Sequence, residues 1–381
     1  MRWDHLQLDV DAPTRSFPGM REPAVVRRFD APEALETRFY EVRAKSVLNR
    51  VPARSSMPFG WTVNPYRGCT HACVYCFARP THEYLDLGPG RDFEREIVVK
   101  VNAPERLVID LGRRARTPAA DEGVALGTNT DPYQWVESRY RLMPGIWRAL
   151  IDAEVPGSVL TKSPLLLRDV DLMLELQAVA GFEAALSVPT LEESAWRATE
   201  PRTPHPRARL AAVAELTRRG IPTSVLAAPL MPGINDDPRQ LEALLTACRD
   251  AGAVSVRGIG LHLRGSTRDV FLDWLRDARP DLVARYEELY RHGPYLPRPE
   301  ASRLARSIAM EEARPRPGGA PRSGAARGRG GADGRPASPA AREARRFGWR
   351  GAPGGAPADD RSWTRPARPG SSAAGRQTRL F

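Results

Sequence analysis

Lysine is scarce in this sequence of 381 residues, where only Lys45, Lys100 and Lys162 stand among 57 basic side chains. Long apolar runs are also missing: no stretch of about 18 apolar residues occurs, so we expect no membrane-spanning helix. The opening residues contain no apolar run like that of a secretory signal peptide. A secreted chain of this size would more often spread its cysteines as distant pairs. The four cysteines here, three of them close together, therefore favour a cytoplasmic protein.

The formal net charge of +11 is confined to residues 314–381, which contain 15 arginines and four acidic residues. The preceding 313 residues contain 42 basic and 42 acidic side chains and are neutral as a whole. Residues 314–381 are rich in Gly, Pro, Ala and Arg and have almost no larger aliphatic side chains. Such a composition buries too little apolar surface to offset the entropy lost on ordering, so we predict a disordered C-terminal tail there.

The rest of the chain divides by composition into two parts. Residues 1–56 are polar, with proline and arginine throughout, and we predict that they form an N-terminal extension packed on the core. Within this extension, residues 31–51 are predicted to form a short helix or a strand pair. Residues 57–313 form the predicted core, which ends in a helical segment.

Six short apolar or β-branched runs alternate with helix-like segments in this core. Because parallel strands covered on both faces are near-continuous apolar runs, the pattern predicts an α/β fold with a parallel sheet. Polar or unusual residues follow the runs, at the edge where such sheets carry their active sites. We therefore predict a site at one mouth of an open barrel. The predicted strands span residues 61–67, 123–130, 157–163, 182–189, 222–230 and 254–263.

Three of the four cysteines lie within eight residues, as Cys69-x3-Cys73-x2-Cys76. Such a group of thiolates suits either zinc or an iron–sulfur cluster. Structural zinc usually takes four ligands in two separated pairs, so a zinc site here would need His71 or His82 as its fourth ligand. A [4Fe–4S] cluster takes one ligand per iron, so three cysteines would leave one iron open to another ligand.

The cysteine spacing, with the aromatic Tyr75 before the third cysteine, resembles the radical S-adenosylmethionine (SAM) superfamily, whose motif is CxxxCx(aromatic)C. The resemblance implies a partial (β/α)6 TIM-like barrel with the motif on the loop after the first strand. It implies that Cys69, Cys73 and Cys76 bind a [4Fe–4S] cluster whose open iron chelates SAM. Electrons from a partner such as flavodoxin or ferredoxin would then drive cleavage of SAM to a 5′-deoxyadenosyl radical, which abstracts hydrogen from the substrate.

Longer stretches are similar to the group related to spore photoproduct lyase, an enzyme that repairs a thymine dimer in DNA, and within it to a largely actinobacterial branch. These stretches lie within residues 57–295 and include NPYRGCTHACVYCFARPTHEYL, GTNTDPYQWVESRYRLMPGIWRAL, LTKSPLLLRDVDLM, LSVPTLEESAWRATEPRTPHPRARL and APLMPGINDD. The similarity therefore covers most of the predicted core.

The resemblance also implies roles for residues at the strand ends. Tyr75 would contact the adenine of SAM, and Thr130 and Asp131 would meet its amine. Lys162 would pair with the SAM carboxylate, and Ser187 would hydrogen-bond to the ribose or the carboxylate. From the residues alone, purely structural roles stay open: Lys162 could form a surface ion pair, Ser187 could cap a strand end, and Asp131 could serve the turn before a proline.

One departure from the spore photoproduct lyase pattern concerns the substrate reaction. That enzyme uses an additional cysteine, outside the cluster motif, to return a hydrogen atom to the product radical. Here the spare cysteine is Cys248, which lies on the apolar face of a predicted helix and is expected in the core. Tyr133 is an alternative hydrogen donor. The resemblance thus carries over the cofactor chemistry, whereas dimer repair does not follow from it.

The tail suggests partners of its own. Arginines neutralise phosphates and aromatic side chains stack on bases, so the tail is predicted to bind nucleic acid, with a solvated linker as the alternative. The chain ends in QTRLF, which resembles the peptide that docks on bacterial sliding clamps, roughly QLxLF. Gln377, Leu380 and Phe381 are therefore predicted to bind a clamp from a flexible tether.

The resemblance and the tail together predict a cytoplasmic radical SAM enzyme that acts on nucleic acid, in DNA repair or modification. Two alternatives stay open. One is a radical SAM enzyme that modifies a protein or a metabolite, and the other is a zinc-stabilised nucleic-acid-binding protein without catalysis.

Overall fold

The computed structural model describes most of the chain between Thr14 and Ala309. None of the helices in this part is long and apolar enough to cross a membrane. The predicted tail, with its expected contacts to nucleic acid and to a clamp, lies outside the described residues. Those residues are 14–20, 22–29, 31, 34, 36–52, 55, 57, 59–115 and 122–309.

The described residues contain eleven strands, which form a seven-stranded and a four-stranded sheet. In chain order the strands are β1 Val25–Arg27, β2 Arg38–Val42, β3 Leu48–Arg50, β4 Trp61–Val63, β5 Tyr66–Arg67, β6 Glu96–Lys100, β7 Val124–Leu126, β8 Gly157–Thr161, β9 Phe182–Ser187, β10 Thr223–Leu230 and β11 Ser255–Gly260.

Eleven α-helices lie in the same part of the chain, and some begin at clear start signals. Asp237 accepts hydrogen bonds from the backbone N of Arg239 and Gln240 at 3.0 and 3.1 Å, and a proline follows it at the first helical position. The helices are α1 Arg91–Arg95, α2 Ala103–Arg114, α3 Glu137–Tyr140, α4 Leu142–Asp152, α5 Val170–Val179, α6 Glu193–Thr199, α7 Pro206–Arg218, α8 Pro238–Asp250, α9 Thr267–Ala278, α10 Val283–Leu289 and α11 Arg298–Ser307.

The seven-stranded sheet contains a strand from each of the six predicted ranges. The first range, 61–67, was predicted as one strand but forms two: β4 lies in this sheet, whereas β5 belongs to the four-stranded sheet. Strands β4, β7, β8, β9, β10 and β11 lie side by side in chain order, and each is parallel to its neighbours in this series. Strand β3 adds an antiparallel edge next to β4. Helices separate the successive parallel strands along the chain, so the arrangement is a partial (β/α)6 barrel. The predicted fold class is confirmed.

The four-stranded sheet, in the order β1-β2-β6-β5, was not predicted from the sequence. One of its faces joins the main core through Phe39, Tyr66, Ile97 and Val99. The opposite face forms a small core of its own, to which Phe17, Tyr40, Val42, Leu85 and Val98 belong.

The N-terminal extension contributes to both sheets. Strands β2 and β3 arise from residues 31–51, for which the sequence predicts a short helix or a strand pair. They are two strands, but they pair with different partners: β2 lies between β1 and β6, and β3 pairs with β4. The extension therefore supplies β3, the edge strand of the seven-stranded sheet, and two strands of the four-stranded sheet, β1 and β2.

Candidate active site

The cysteine loop begins directly after β5, at a glycine that the local packing requires. Gly68 has a φ of +78°, and a Cβ at this position would lie 2.9 Å from the backbone O of Phe93. Glycine adopts this conformation without strain and has no Cβ to clash. The loop then turns toward that same oxygen, which accepts a hydrogen bond from the backbone N of Cys69 at 2.9 Å.

Side chains from other elements fasten the loop through its backbone. The Gln134 amide accepts a hydrogen bond from the backbone N of Thr70 at 3.0 Å and donates one to the backbone O of Gly68 at 3.1 Å. The Thr267 hydroxyl, at the start of α9, donates to the backbone O of Cys76 at 3.0 Å. Because these bonds use backbone atoms of the loop, they hold it without engaging the cysteine side chains.

Arg79 holds the middle of the loop. Its guanidinium is buried and donates twice to the backbone O of Cys73, from Nε at 3.2 Å and from Nη2 at 2.8 Å. Nη2 also lies 2.6 Å from the Glu94 carboxylate, and the guanidinium lies 5.4 Å from the centroid of the Phe93 ring. A buried guanidinium with this many acceptors is well satisfied and has little freedom to move.

Two of the three thiols of the loop are shielded from water. Cys69 and Cys73 are buried, whereas Cys76 is half-buried. Burial raises the pKa of the Cys73 thiol to about 12, although Lys162 opposes the shift. Burial, followed by Asp131 and the other two cysteines, raises the pKa of Cys69. Buried thiols with raised pKa values ionise only when a positive centre offsets the burial.

The two histidines proposed as a fourth zinc ligand have partners of their own. His82 Nε2 lies 2.9 Å from the backbone O of Glu96. His71 Nδ1 lies 3.4 Å from the carboxylate of Asp131, and burial lowers the pKa of His71 to about 4. Within the described part of the chain, no group of three or more His, Cys, Asp or Glu side chains is arranged to hold a metal ion.

A fully buried carboxylate, Glu200, connects the loop to the strand ends. It accepts hydrogen bonds from the Tyr75 hydroxyl and from Arg209 Nη2, the latter at 2.5 Å, and it lies 3.7 Å from Lys162 Nζ. Arg209 also donates to the backbone O of Ser187 at 2.9 Å. Burial would raise the pKa of Glu200, but Arg209 and Lys162 outweigh it and hold that pKa below its ordinary value. The carboxylate is therefore ionised and paired.

Lys162, just after β8, brings three of the predicted site residues together. Its Nζ donates to Ser187 Oγ at 3.0 Å and lies 5.8 Å from the centroid of the Tyr75 ring. Burial lowers the pKa of Lys162, but Glu200 and Cys73 outweigh that effect and leave it raised, so the side chain stays charged. The side chain is only 18% exposed, which argues against the surface ion pair considered from the sequence.

Thr130 and Asp131 make contacts within the framework. The Thr130 hydroxyl donates to the backbone O of Tyr66 at 2.9 Å. The Asp131 carboxylate accepts hydrogen bonds from the Thr161 hydroxyl at 2.6 Å and from the backbone N of Lys162 at 2.7 Å. The Asp131 bonds connect the segment after β7 to the end of the neighbouring β8, and the Thr130 bond connects it to β5 in the other sheet. Contact of either residue with the SAM amine stays a prediction.

Both hydrogen-donor candidates from the sequence are enclosed in the core. Cys248 lies in α8, where it is fully buried and where burial raises the pKa of its thiol to about 12. The Tyr133 hydroxyl donates to Asp169 at 2.9 Å and accepts from Trp147 Nε1 at 2.8 Å. The predicted core position of Cys248 is confirmed, and Tyr133 uses its hydroxyl to satisfy two buried partners.

Four residues that hold the site together were not predicted from the sequence: Glu200, Arg209, Gln134 and Arg79. One signal was present for Arg209, which shares an apolar face of α7 with Val213 and Leu216. A charged side chain at such a core position requires a buried partner. The other three give no comparable local signal, because their roles depend on how the folded chain surrounds them.

This geometry agrees with the comparisons to known proteins. Residues 63–245 match the radical SAM superfamily. An uncharacterised protein of Mycobacterium tuberculosis (strain H37Rv) is 46% identical over 300 residues, which cover 78% of this chain and 87% of the relative. The chain belongs to the radical SAM superfamily, as predicted, and is therefore an enzyme of a class that uses a [4Fe–4S] cluster and SAM.

Two solved structures are similar in fold. Spore photoproduct lyase complexed with dinucleoside spore photoproduct superposes with a TM-score of 0.54 at 14% identity, over 78% of this chain and 83% of that chain. A variant of the same enzyme with bound AdoMet and dinucleoside spore photoproduct gives a TM-score of 0.52 at 15% identity, with the same coverage. The predicted similarity to spore photoproduct lyase is confirmed at the level of the fold.

The Glu200 ion pairs lead to a stability prediction. Glu200→Gln leaves Arg209 buried without a charged partner, so we expect the free energy of unfolding to fall by about 3 to 5 kcal/mol. Urea denaturation of the two proteins measures the difference. Glu193→Gln is the matched control: its pair with Arg197 is exposed on α6, and the change should stay within about 0.5 kcal/mol. Equal losses in both variants would refute the role assigned to Glu200.

Proposed function

We propose that Cys69, Cys73 and Cys76 hold a [4Fe–4S] cluster, that the network around Lys162 binds SAM, and that the substrate is nucleic acid. The observation that carries the proposal is the position of three thiols, two of them buried, on a single anchored loop next to the ion pair between Lys162 and the buried Glu200. Because the loop is held through its backbone, its thiols stay available as ligands to a metal cluster. The nearby ammonium of Lys162 suits an anionic group of a cofactor.

The chemistry and the number of the three thiols suit such a cluster, whereas the described side chains do not surround a single metal ion. Thiolates are its usual ligands, three of them leave one iron open, and a positive metal centre removes the penalty for ionising buried thiols. When bound and given one electron by a partner, for which we expect flavodoxin or ferredoxin, the cluster supplies reductive cleavage of SAM to a 5′-deoxyadenosyl radical. Arg79 and Gln134 position the loop through its backbone, and the buried surroundings keep water from Cys69 and Cys73.

SAM has a carboxylate, an amine and an adenosyl group to bind. The charged ammonium of Lys162 suits the carboxylate, with the Ser187 hydroxyl beside it at 3.0 Å as a further polar contact. Tyr75 offers the face of a fixed ring for the adenine, since its hydroxyl is held by Glu200. Thr130 and Asp131 lie at the next strand end, where we place the amine.

The proposed substrate class rests on two supports. The fold resembles that of spore photoproduct lyase, which has been captured with a dinucleoside spore photoproduct. The arginine-rich residues 314–381 have the composition of a nucleic-acid-binding tail. Because Cys248 is enclosed in α8, we propose DNA repair or modification that does not draw a hydrogen atom from that thiol.

The first test of the proposed function concerns the cluster. After anaerobic reconstitution, the protein should hold about four irons per chain and cleave SAM to 5′-deoxyadenosine on reduction. Cys76→Ala should lose most of the iron and all of the cleavage. Cys248→Ala is the matched control, since it removes a cysteine outside the loop, and it should retain both. A colourless protein that binds zinc and no iron would refute the proposal.

The second test concerns Lys162. Lys162→Met removes one charged contact to the SAM carboxylate, so the dissociation constant for SAM should rise roughly tenfold to a hundredfold. Glu200 keeps Arg209 as a partner, so the variant should fold. Binding is measured by calorimetry on the reconstituted protein, with Arg148→Met, an exposed cation on α4, as control. Unchanged affinity in Lys162→Met would remove this residue from the SAM site.

The third test concerns the substrate. Oligonucleotides should increase the yield of 5′-deoxyadenosine and become modified, as detected by mass spectrometry, whereas peptides should have no such effect. Binding to DNA should weaken steeply with salt, and deletion of residues 314–381 should abolish it while SAM cleavage without substrate continues. DNA binding that survives the deletion unchanged would contradict a role for the tail, and modification of a peptide alone would contradict the substrate class.

A further inference from the structure

The inner face of the partial barrel carries a row of side chains that continues past Ser187. The hydrogen bond from Lys162 Nζ to Ser187 Oγ places these two side chains on one face of the sheet. The strand register pairs Ser187 with Leu226 and Leu226 with Arg257, and paired residues of parallel strands point to the same face. The row therefore ends on β11 with a second cation, Arg257.

The residues next to this row along the strands identify its face as the interior. Leu186, Val225 and Val256 point the opposite way, and all three belong to the main hydrophobic core. In a β/α barrel this opposite face is the one that the surrounding helices cover. The side chain of Arg257 therefore starts from the inner face of the open barrel.

A small cavity opens beside Arg257 on this inner face. Leu160 and Ala185 line it from β8 and β9, and Ser224 and Ser255 line it from β10 and β11. Ser255 Oγ donates a hydrogen bond to Ser224 Oγ at 2.8 Å. No carboxylate belongs to the lining among the residues that the structure describes. The side of the interior that contains Arg257 is therefore polar and has no negative charge of its own.

The two cations of the row differ in their partners. Lys162 has Ser187 and Glu200 beside it, at 3.0 and 3.7 Å. The half-buried Arg257 makes no hydrogen bond, ion pair or ring contact within the part of the chain that the structure describes. An arginine stays charged at any relevant pH, and its guanidinium has five N–H donors to satisfy. Arg257 is therefore the cation of this row whose donors are available to a ligand.

The position of Arg257 separates it from the proposed SAM site. Neighbouring strands lie about 4.8 Å apart, so Arg257 starts about 10 Å from Ser187, two strands away. Ile259 follows on the same face and is 36% exposed, so an apolar surface lies next to the cation. A cation beside an apolar surface suits a nucleotide, which combines an anionic phosphate with the flat face of a base.

We propose that Arg257 binds a phosphate group of the substrate inside the barrel, with Ile259 against the adjoining sugar or base. This inference rests on the proposed function, because it takes the substrate to be nucleic acid. The guanidinium fork matches two phosphate oxygens, and an enclosed contact is screened by salt less than contacts of exposed arginines are. The contact holds the substrate beside SAM, so Arg257 is a substrate-binding residue of the same site.

The experiment compares two dinucleotides that differ in one charge. Thymidylyl-thymidine has a single anionic phosphodiester, and its methylphosphonate analogue is neutral at that position. Binding of each is measured by calorimetry on the full-length, reconstituted protein with SAM and without reductant, in salt that suppresses contacts with residues 314–381. We expect the anionic dinucleotide to bind about tenfold to a hundredfold more tightly than the neutral one.

Three variants assign this preference to a residue. Arg257→Met should bind both dinucleotides equally, with the affinity of the neutral one, and it should fold because no described partner loses a contact. Arg257→Lys should keep part of the preference, since it retains the charge without the fork. Arg249→Met is the matched control: it removes an exposed arginine near the end of α8, and the preference should stay as in the original protein.

Two results would overturn the inference alone: an original protein that binds both dinucleotides equally, or an Arg257→Met variant that keeps the preference. A loss of SAM affinity in Arg257→Met as large as that expected for Lys162→Met would also overturn it, because Arg257 would then belong to the SAM site. If neither dinucleotide binds the original protein, the proposed nucleic-acid substrate fails, and the role of Arg257 fails with it.

Discussion

The buried carboxylate of Glu200 is the interaction on which the arrangement of the site depends. It needs cations beside it, and it obtains Arg209 from α7 and Lys162 from the end of β8. The same carboxylate accepts a hydrogen bond from Tyr75, which connects it to the cysteine loop 125 residues away along the chain. Apolar packing alone tolerates small shifts between segments, whereas a buried charge requires its partners at short range. One ionised group therefore determines how the loop, the helix and the strand end meet.

The fold was largely predictable from local patterns. The six parallel strands are short apolar runs bounded by turns, and each was found because burial on both faces gives a strong local signal. The four-stranded sheet was not found, since β6 follows α1 directly and pairs with β2 across 58 residues. Its strands are short, and what makes them strands is mostly pairing with distant partners. Such pairing leaves little trace in any window of the sequence.

The candidate site, like the fold, was predictable from the sequence only in part. Cys69, Cys73 and Cys76 are recognisable because their spacing is local, and the residues just after strands are recognisable because the fold class brings strand ends together. The side chains that hold this site in place depend on tertiary contacts instead. Gln134 and Glu200 reach the cysteine loop across 64 and 125 residues of the chain, and only the folded structure reveals these contacts.

Two of the three lysines, Lys100 and Lys162, lie in enclosed positions, whereas Lys45 is exposed. An ammonium is compact, whereas a guanidinium is broad and planar and needs room for its fork of donors. At Lys162 the charge must fit between Ser187 and Glu200, 3.0 and 3.7 Å from its Nζ. Lys100 is 7% exposed, and its ammonium donates to the backbone O of Asn64 at 2.9 Å. In a chain whose other basic side chains are almost all arginine, Lys162 and Lys100 thus occupy enclosed positions that suit a compact charge.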